Sequence, residues 1–357
     1  MATKLKYQGV EDQIVSSSLH RQAIINGNFD VAQRGTTFAA GDNNDDVYTL
    51  DRWNLISDGN DVLDVSQTAI TDLTGSSYAI KLDVETSARG GIVQFIENKD
   101  ASKLKGKYVS VSFAVKSANI SAIRCAILSW GSTADSVTSD VVGTWGDTPT
   151  WATNWTAENT PADLTVTSSW TTVKVENIYI DSATVNNIAL AIWIPNAETI
   201  GDIVYISQVQ MNEGSVALPF QPKSFAEELR ACQRYYYKSY PYATYAGNNY
   251  GISGSSSVIS DSAGMPVTTK VETASTSRKY AYRSLPVEMR NASQIKSYYD
   301  IAGNISKVTS CNSSGQYVAN NITETYQAMG GNAKEVYVQT ADNIAGFACH
   351  IVLENDL

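Results

Sequence analysis

The chain has little histidine, cysteine or charge. Its 357 residues include 2 His and 4 Cys, and 17% are charged, against ~25% in ordinary soluble domains. His20 and His350 alone leave almost no material for histidine-based metal sites or hydrolytic triads. Cys125, Cys232, Cys311 and Cys349 are widely spaced and form no Cys-x-x-Cys pair, so each reads as a small apolar core residue. Lys and Arg number 26 against 36 Asp and Glu, the net charge is -10, and no basic block occurs. This argues against nucleic-acid binding, which draws most of its affinity from phosphate contacts. No apolar run approaches the ~20 residues that span a bilayer, so no membrane insertion is expected. The opening Met-Ala-Thr-Lys-Leu-Lys-Tyr-Gln lacks the apolar stretch of a secretion signal. The glycine-elbow, zinc-protease, P-loop and dinucleotide signatures are missing as well.

Ser, Thr, Asn and Gly take the place of charge, together with 20 Tyr and 7 Trp. That is the palette of short strands and many turns. Tyr78, Ile80, Leu82 and Val84 alternate with other residues, as do Val109, Val111, Phe113 and Val115, and Ile188, Leu190, Ile192 and Ile194; Ile203 to Met211 gives a weaker run. Period-two runs separated by turn clusters predict half-buried antiparallel strands of a sandwich. Val173 and Val175, followed by Ile178 and Ile180, slip phase by one residue, as a bulge would. No helical period is seen before residue 220.

Pro219 and Pro222 stop the last of these strands, and Ser224-Phe225-Ala226-Glu227 is a capping box. Phe225, Leu229, Cys232 and Tyr236 then share one face, which predicts a helix over about 225–238, too short for a coiled coil. Strand signals resume near Met265 and end with Phe347, Cys349, Ile351 and Leu353 in alternation. At about 150 residues per domain, the expected organisation is all-β. An arm (1–22) precedes a first antiparallel β-sandwich (23–221), a linking α-helix (222–239) and a second β-sandwich (240–357). The lack of a fixed-length repeat argues against a β-helix spike or a propeller.

Asp42-Asn43-Asn44-Asp45-Asp46 resembles the start of a calcium loop. However, Val47 stands where Gly is needed and Trp53 where the bidentate Glu is needed, so a solvated turn is expected, with no metal. Glycoside hydrolysis requires only two carboxylates brought together in space. Asp51, Asp61, Asp64, Glu97 and Asp147 are all available and none stands out, so no catalytic residue and no cofactor is assigned. The best contact surface is Trp145-Gly146-Asp147-Thr148-Pro149-Thr150-Trp151-Ala152-Thr153-Asn154-Trp155. On a loop, Trp145, Trp151 and Trp155 could stack on sugar faces while their polar neighbours bind hydroxyls. The alternative is burial against the sandwich or a neighbouring subunit, which is favoured because three exposed indoles invite aggregation. A second cluster holds Tyr235, Tyr236 and Tyr237, read as packing, and Tyr240, Tyr242, Tyr245 and Tyr250, which could face a ligand or a subunit. Asn-x-Ser/Thr sequons such as those at Asn119, Asn154, Asn304 and Asn321 read as chance matches in so polar a chain.

Ile25-Asn26-Gly27-Asn28-Phe29-Asp30-Val31-Ala32-Gln33-Arg34-Gly35, with Tyr48-Thr49-Leu50-Asp51-Arg52-Trp53, resembles the opening of a carbohydrate-binding-module-like jelly roll found in bacteriophage virion proteins. Gln208 to Ser215 with Pro219-Phe220 is similar to its closing strand. The run Glu227 to Tyr236 follows it, as in many phage tail-fibre-like proteins. Leu285 to Arg290 and Tyr299 to Asn304 resemble strands of the β-domain that commonly ends such chains. The resemblance covers most of 24–357 and implies a virion structural protein, often trimeric, on the particle surface after assembly in the host cytoplasm. It further implies contact with other virion proteins, with the arm as natural anchor, and attachment to a host cell-surface glycan. Capsid or tail decoration is the rival role, and a polysaccharide depolymerase the most remote. No catalytic or sugar-binding residue transfers with it.

Overall fold

The computed structural model describes residues 22–180, 185–248, 279–291, 295–311, 317–322, 327–330, 335–340 and 346–357. The expected arm, apart from Gln22, lies outside them, as does Tyr250. The described residues are nearly all β and form two compact units, one drawn from 22–32, 36–224 and 357, the other from 33–35 and 225–356.

The first unit is a sandwich of two antiparallel sheets. One runs, from edge to edge, β1 (Thr37–Phe38), β3 (Leu63–Ala69), β4 (Tyr78–Val84), β14 (Ile203–Glu213), β6 (Tyr108–Ser117) and β12 (Thr171–Tyr179). The other runs β10 (Trp155–Ala157), β7 (Ala122–Trp130), β13 (Asn187–Ile194), β5 (Gly90–Ile96) and β2 (Asn54–Ser57), with β11 (Leu164–Thr165) also on β7. The alternating sets meet between the sheets: Ile80, Leu82, Val109, Val111, Phe113, Val115, Ile188, Leu190 and Ile192 share one buried core with Trp53, Phe29 and Val204. The phase slip in β12 is a register shift between Val175 and Ile178. A second shift in β14, between Ser207 and Gln210, puts Gln208 at a φ of 54°.

The Asn-Gly turn of the opening motif docks on that second bulge. Val209 N–H donates to the Gly27 carbonyl at 2.8 Å, and a Cβ on Gly27 would lie 2.0 Å from the Val209 oxygen, so no side chain fits there. Asn26, at a φ of 57°, donates to the Val31 and Asp51 carbonyls, and the fully buried Trp53 donates Nε1–H to the Asn26 carbonyl at 3.1 Å. The motif therefore fixes the fold.

Helix α1 (Asn98–Leu104) precedes residue 220, contrary to expectation. With seven residues and only Ala101 and Leu104 buried, it is too short to show a period.

In the second unit, α2 spans Phe225–Gln233 and stops short of the predicted 238. Tyr236–Lys238 is instead strand β15, whose aromatic residues favour a pleated, buried position. It pairs with β23 (His350–Glu354), which pairs in turn with β17 (Ile295–Tyr299). Two more three-stranded antiparallel sheets follow, ordered β16 (Lys279–Ser284), β21 (Glu335–Thr340), β20 (Gln327–Gly330), and β19 (Tyr317–Ile322), β18 (Val308–Cys311), β22 (Gly346–Ala348). The expected single terminal strand is thus split between β22 and β23. Within this unit Arg34 pairs with Glu354 and Asp356, and its guanidinium lies 4.1 Å from the Tyr236 ring centre. Burial raises the Glu354 carboxyl, but Arg34 and Lys296 outweigh it and hold the group below its ordinary value.

Candidate functional site

Strands β5 and β13 are buried along their whole length, on both faces. One face of β13 carries Ile188, Leu190, Ile192 and Ile194 into the core between the sheets. The other presents Ala189, Ala191 and Trp193, which join Val93, Phe95, Ala126, Leu128 and Trp130 in a second apolar cluster. Small side chains there leave room for a covering segment, residues 131–158, which contains the ribbon β8 (Val142–Thr144) and β9 (Thr150–Trp151) and ends in β10. The expected half-buried sheet is therefore buried on both sides, because a stretch of its own chain lies over it.

All three indoles of the loop pack on this second cluster, at different depths. Trp155 is 5% exposed and sits 5.0 Å from the Trp130 ring and 5.8 Å from Phe95. Its Nε1–H donates to Thr138 Oγ1 at 3.1 Å. It buttresses the segment and presents no open ring. Trp151 and Trp145 are only partly buried. Trp151 meets the buried Trp193 edge to face at 5.8 Å and 84°. Thr144, Asp147, Thr148 and Thr150, all exposed, flank the two rings in the chain. Trp151 on its buried Trp193 base and Trp145 on the same apolar cluster, with hydroxyl and carboxylate groups beside them in the chain, offer a surface that can stack on a flat apolar ligand face and hydrogen-bond its rim.

At the margin, Arg89 Nη2 donates to Asp147 Oδ1 at 2.8 Å. Arg124, opposite Trp193 in register, donates to the Asp147 carbonyl and, at 2.5 Å, to Asp163 Oδ1. On the other flank, Asp140 of the segment lies near Asp45 and Asp46. The Asp46 carboxyl is pushed up to about 7 by burial first, then by the charges of Asp45 and Asp140, against a hydrogen bond from Ser139. The Asp42–Asp46 stretch is tied down and not freely solvated: Asn43 is fully buried and donates to Asp61 and Asp64 at 2.8 Å each. Among the described residues no group of three or more His, Cys, Asp or Glu could hold a metal ion.

The tyrosines belong to the second unit. Tyr240 is buried, stacks on His350 at 3.9 Å and 18°, and has its hydroxyl pushed up to about 12, chiefly by burial. Tyr242 is 37% exposed and meets the exposed Phe225 edge to face at 5.2 Å. Tyr245 is partly buried, with Lys238 Nζ 5.0 Å from its ring centre. That ammonium group donates to the carbonyls of Gln33, Tyr242 and Thr244 at 2.8–2.9 Å and so organises the loop. Sequence reasoning missed Trp130, Trp193, Arg89 and Arg124. The signal for Trp193 was present, since it is the one large residue in the alternate phase of β13.

No family model matches the chain, and no curated protein matches it in sequence. Among solved structures it is similar to the enzymatically active domain of bacteriophage CBA120 tailspike protein 4, at 15% identity and a TM-score of 0.33, over 46% of this chain. The match spans only 19% of the tailspike chain. A CBM4 structure is similar at 14% identity and a TM-score of 0.32, over 53% of this chain and 98% of that one. The CBM22-1 xylan-binding domain of Paenibacillus barcinonensis Xyn10C is similar at 13% identity and 0.31, over 50% and 90%. Likenesses of this size assign no activity.

Proposed function

We propose that this chain is a non-enzymatic, glycan-binding protein of a phage particle that acts in attachment to the host surface. The observation that carries the binding reading is the pair Trp145 and Trp151: partly open indoles packed on the second apolar cluster, Trp151 edge to face on the buried Trp193, with Thr and Asp neighbours in the chain. Sugars offer flat C–H faces ringed by hydroxyls, and that is the complement of such a surface. The virion part rests on the sequence motifs, as do anchoring through the arm and a homotrimeric state.

Competition of purified protein against particle adsorption to host cells tests the attachment role, which fails if the protein neither binds the cells nor blocks adsorption. Trp151→Ala is expected to weaken binding to host polysaccharide at least tenfold while circular dichroism stays unchanged; equal binding overturns the assigned face. The exposed pair Tyr108 and Tyr179, rings 5.2 Å apart on neighbouring strands, favours a second reading as decoration protein, since such aromatics suit subunit contacts. Particles that lose stability but not adsorption when the protein is deleted would establish it.

A further inference from the structure

We infer that the sugar bound at the Trp145–Trp151 face carries a carboxylate, read by Arg89 and Arg124; the inference rests on the glycan-binding reading above. Directly opposed residues on neighbouring strands project to the same side of a sheet. Arg124 on β7 and Trp193 on β13 are so opposed, and Arg124 shares the face on which the indoles are built. Arg89 reaches the same place from the start of β5. Both guanidinium groups converge on one residue of the covering segment: Arg89 on the Asp147 carboxylate, Arg124 on the Asp147 carbonyl. Two like charges so close stand out in a chain of net charge -10.

What neutralises them is easily displaced. The arginine side chains are 22% and 18% exposed, whereas Asp147 is 96% and Asp163 58% exposed. An ion pair whose carboxylate lies in water contributes little, so a competing carboxylate meets small resistance. Asp147 lies two residues from Trp145. On this proposal a uronic acid stacked on that indole competes with the Asp147 side chain for Arg89. Planar guanidinium groups with several fixed N–H donors suit that group better than a hydroxyl. The acidic chain as a whole does not prevent this, because at physiological salt charges beyond about 8 Å are screened. The arginines then supply specificity, and the indoles supply the stacking.

The test uses the full chain on surfaces coated with polygalacturonate, alginate or hyaluronan, each beside its methyl ester, which keeps the backbone and removes the charge. At least one acid should bind at least tenfold more tightly than its ester, and the preference should shrink with added salt. Arg89→Gln and Arg124→Gln should bring acid and ester close to parity. Asp147→Asn, at a position too exposed to threaten folding, should raise the preference for acid over ester several-fold, because the competing carboxylate is gone. A purely structural role for Asp147 would weaken both or neither. If esters bind as well as acids and Trp151→Ala abolishes both, the acidic assignment is overturned and the stacking reading stands. Preference for dextran sulfate over every carboxylate also overturns it. If no acid or ester binds and adsorption competition is negative, both readings fall.

Discussion

Single side chains hold both candidate regions in shape, and their chemistry sets separate tests. Lys238 is 4% exposed and spends its ammonium hydrogens on three backbone carbonyls around the Tyr240–Tyr245 loop. Lys238→Met keeps the stem and deletes the donors, leaving those acceptors unmatched. A loss of about 1–3 kcal/mol is expected from denaturant unfolding; no change would mean the loop does not depend on the ammonium. Asp46 sets a pH dependence. Its carboxyl titrates near 3.8 in the unfolded chain and at about 7 in the folded one, raised by burial and by Asp45 and Asp140. The folded state therefore holds a proton that the unfolded chain releases between those values. The contribution is complete below about pH 4 and lost as the pH climbs through 7. Asp46→Asn should hence gain on the parent chain as pH rises, by on the order of 1–2 kcal/mol at pH 8 once screening of a half-buried carboxyl is allowed for. Thermal melts at pH 4 and pH 8 check this, and a constant difference would refute it.

At the level of elements, β13 shows what sequence conveys and what it withholds. Ile188, Leu190, Ile192 and Ile194 announce a strand with one apolar face, and the structure buries that face between the sheets. The opposite phase, Ala189, Ala191 and Trp193, reads as neutral in isolation, because small residues are compatible with solvent. Only the arrival of residues 131–158, from strands away in the sequence, turns it into a second core. Long-range covering of this kind has no local period, so Arg124 and Trp193 stayed hidden as site residues although Trp145 and Trp151 were legible as a cluster. The end of α2 departs from its predicted place for a related reason. Tyr236 continues the helical spacing, but its pairing with Glu354 of β23 overrides it. Gly91 records the closeness of packing beneath the indoles: a Cβ there would lie 2.1 Å from the Ile192 oxygen and 2.4 Å from the Trp193 Cα. Both are backbone atoms that cannot step aside, so β5 must separate from β13. Gly91→Ala should cost at least ~3 kcal/mol and, through Trp193, loosen Trp151. Calorimetry combined with tryptophan fluorescence would show both effects; a variant with parental melting and emission would contradict the packing described.

For the molecule as a whole, the shortage of charge acquires a specific meaning. A surface built from Ser, Thr, Asn and Tyr recognises by contact and short hydrogen bonds, which act only after encounter and give little long-range steering. Stacking on two partly buried indoles is a small interface, and one copy should bind weakly. On the proposed attachment role, binding would then depend on copy number, because linking sites converts later binding steps into intramolecular ones at high effective concentration. If the chain assembles as the homotrimer that its motifs suggest, light scattering should give three times 38.6 kDa. Apparent affinity should also rise steeply, 100-fold or more, as polysaccharide is packed more densely on a surface, with Trp151→Ala removing the rise. A monomer at high concentration, with affinity independent of ligand density, would sink the multivalent scheme while leaving the single-site chemistry of Trp145, Trp151, Arg89 and Arg124 open to its own test.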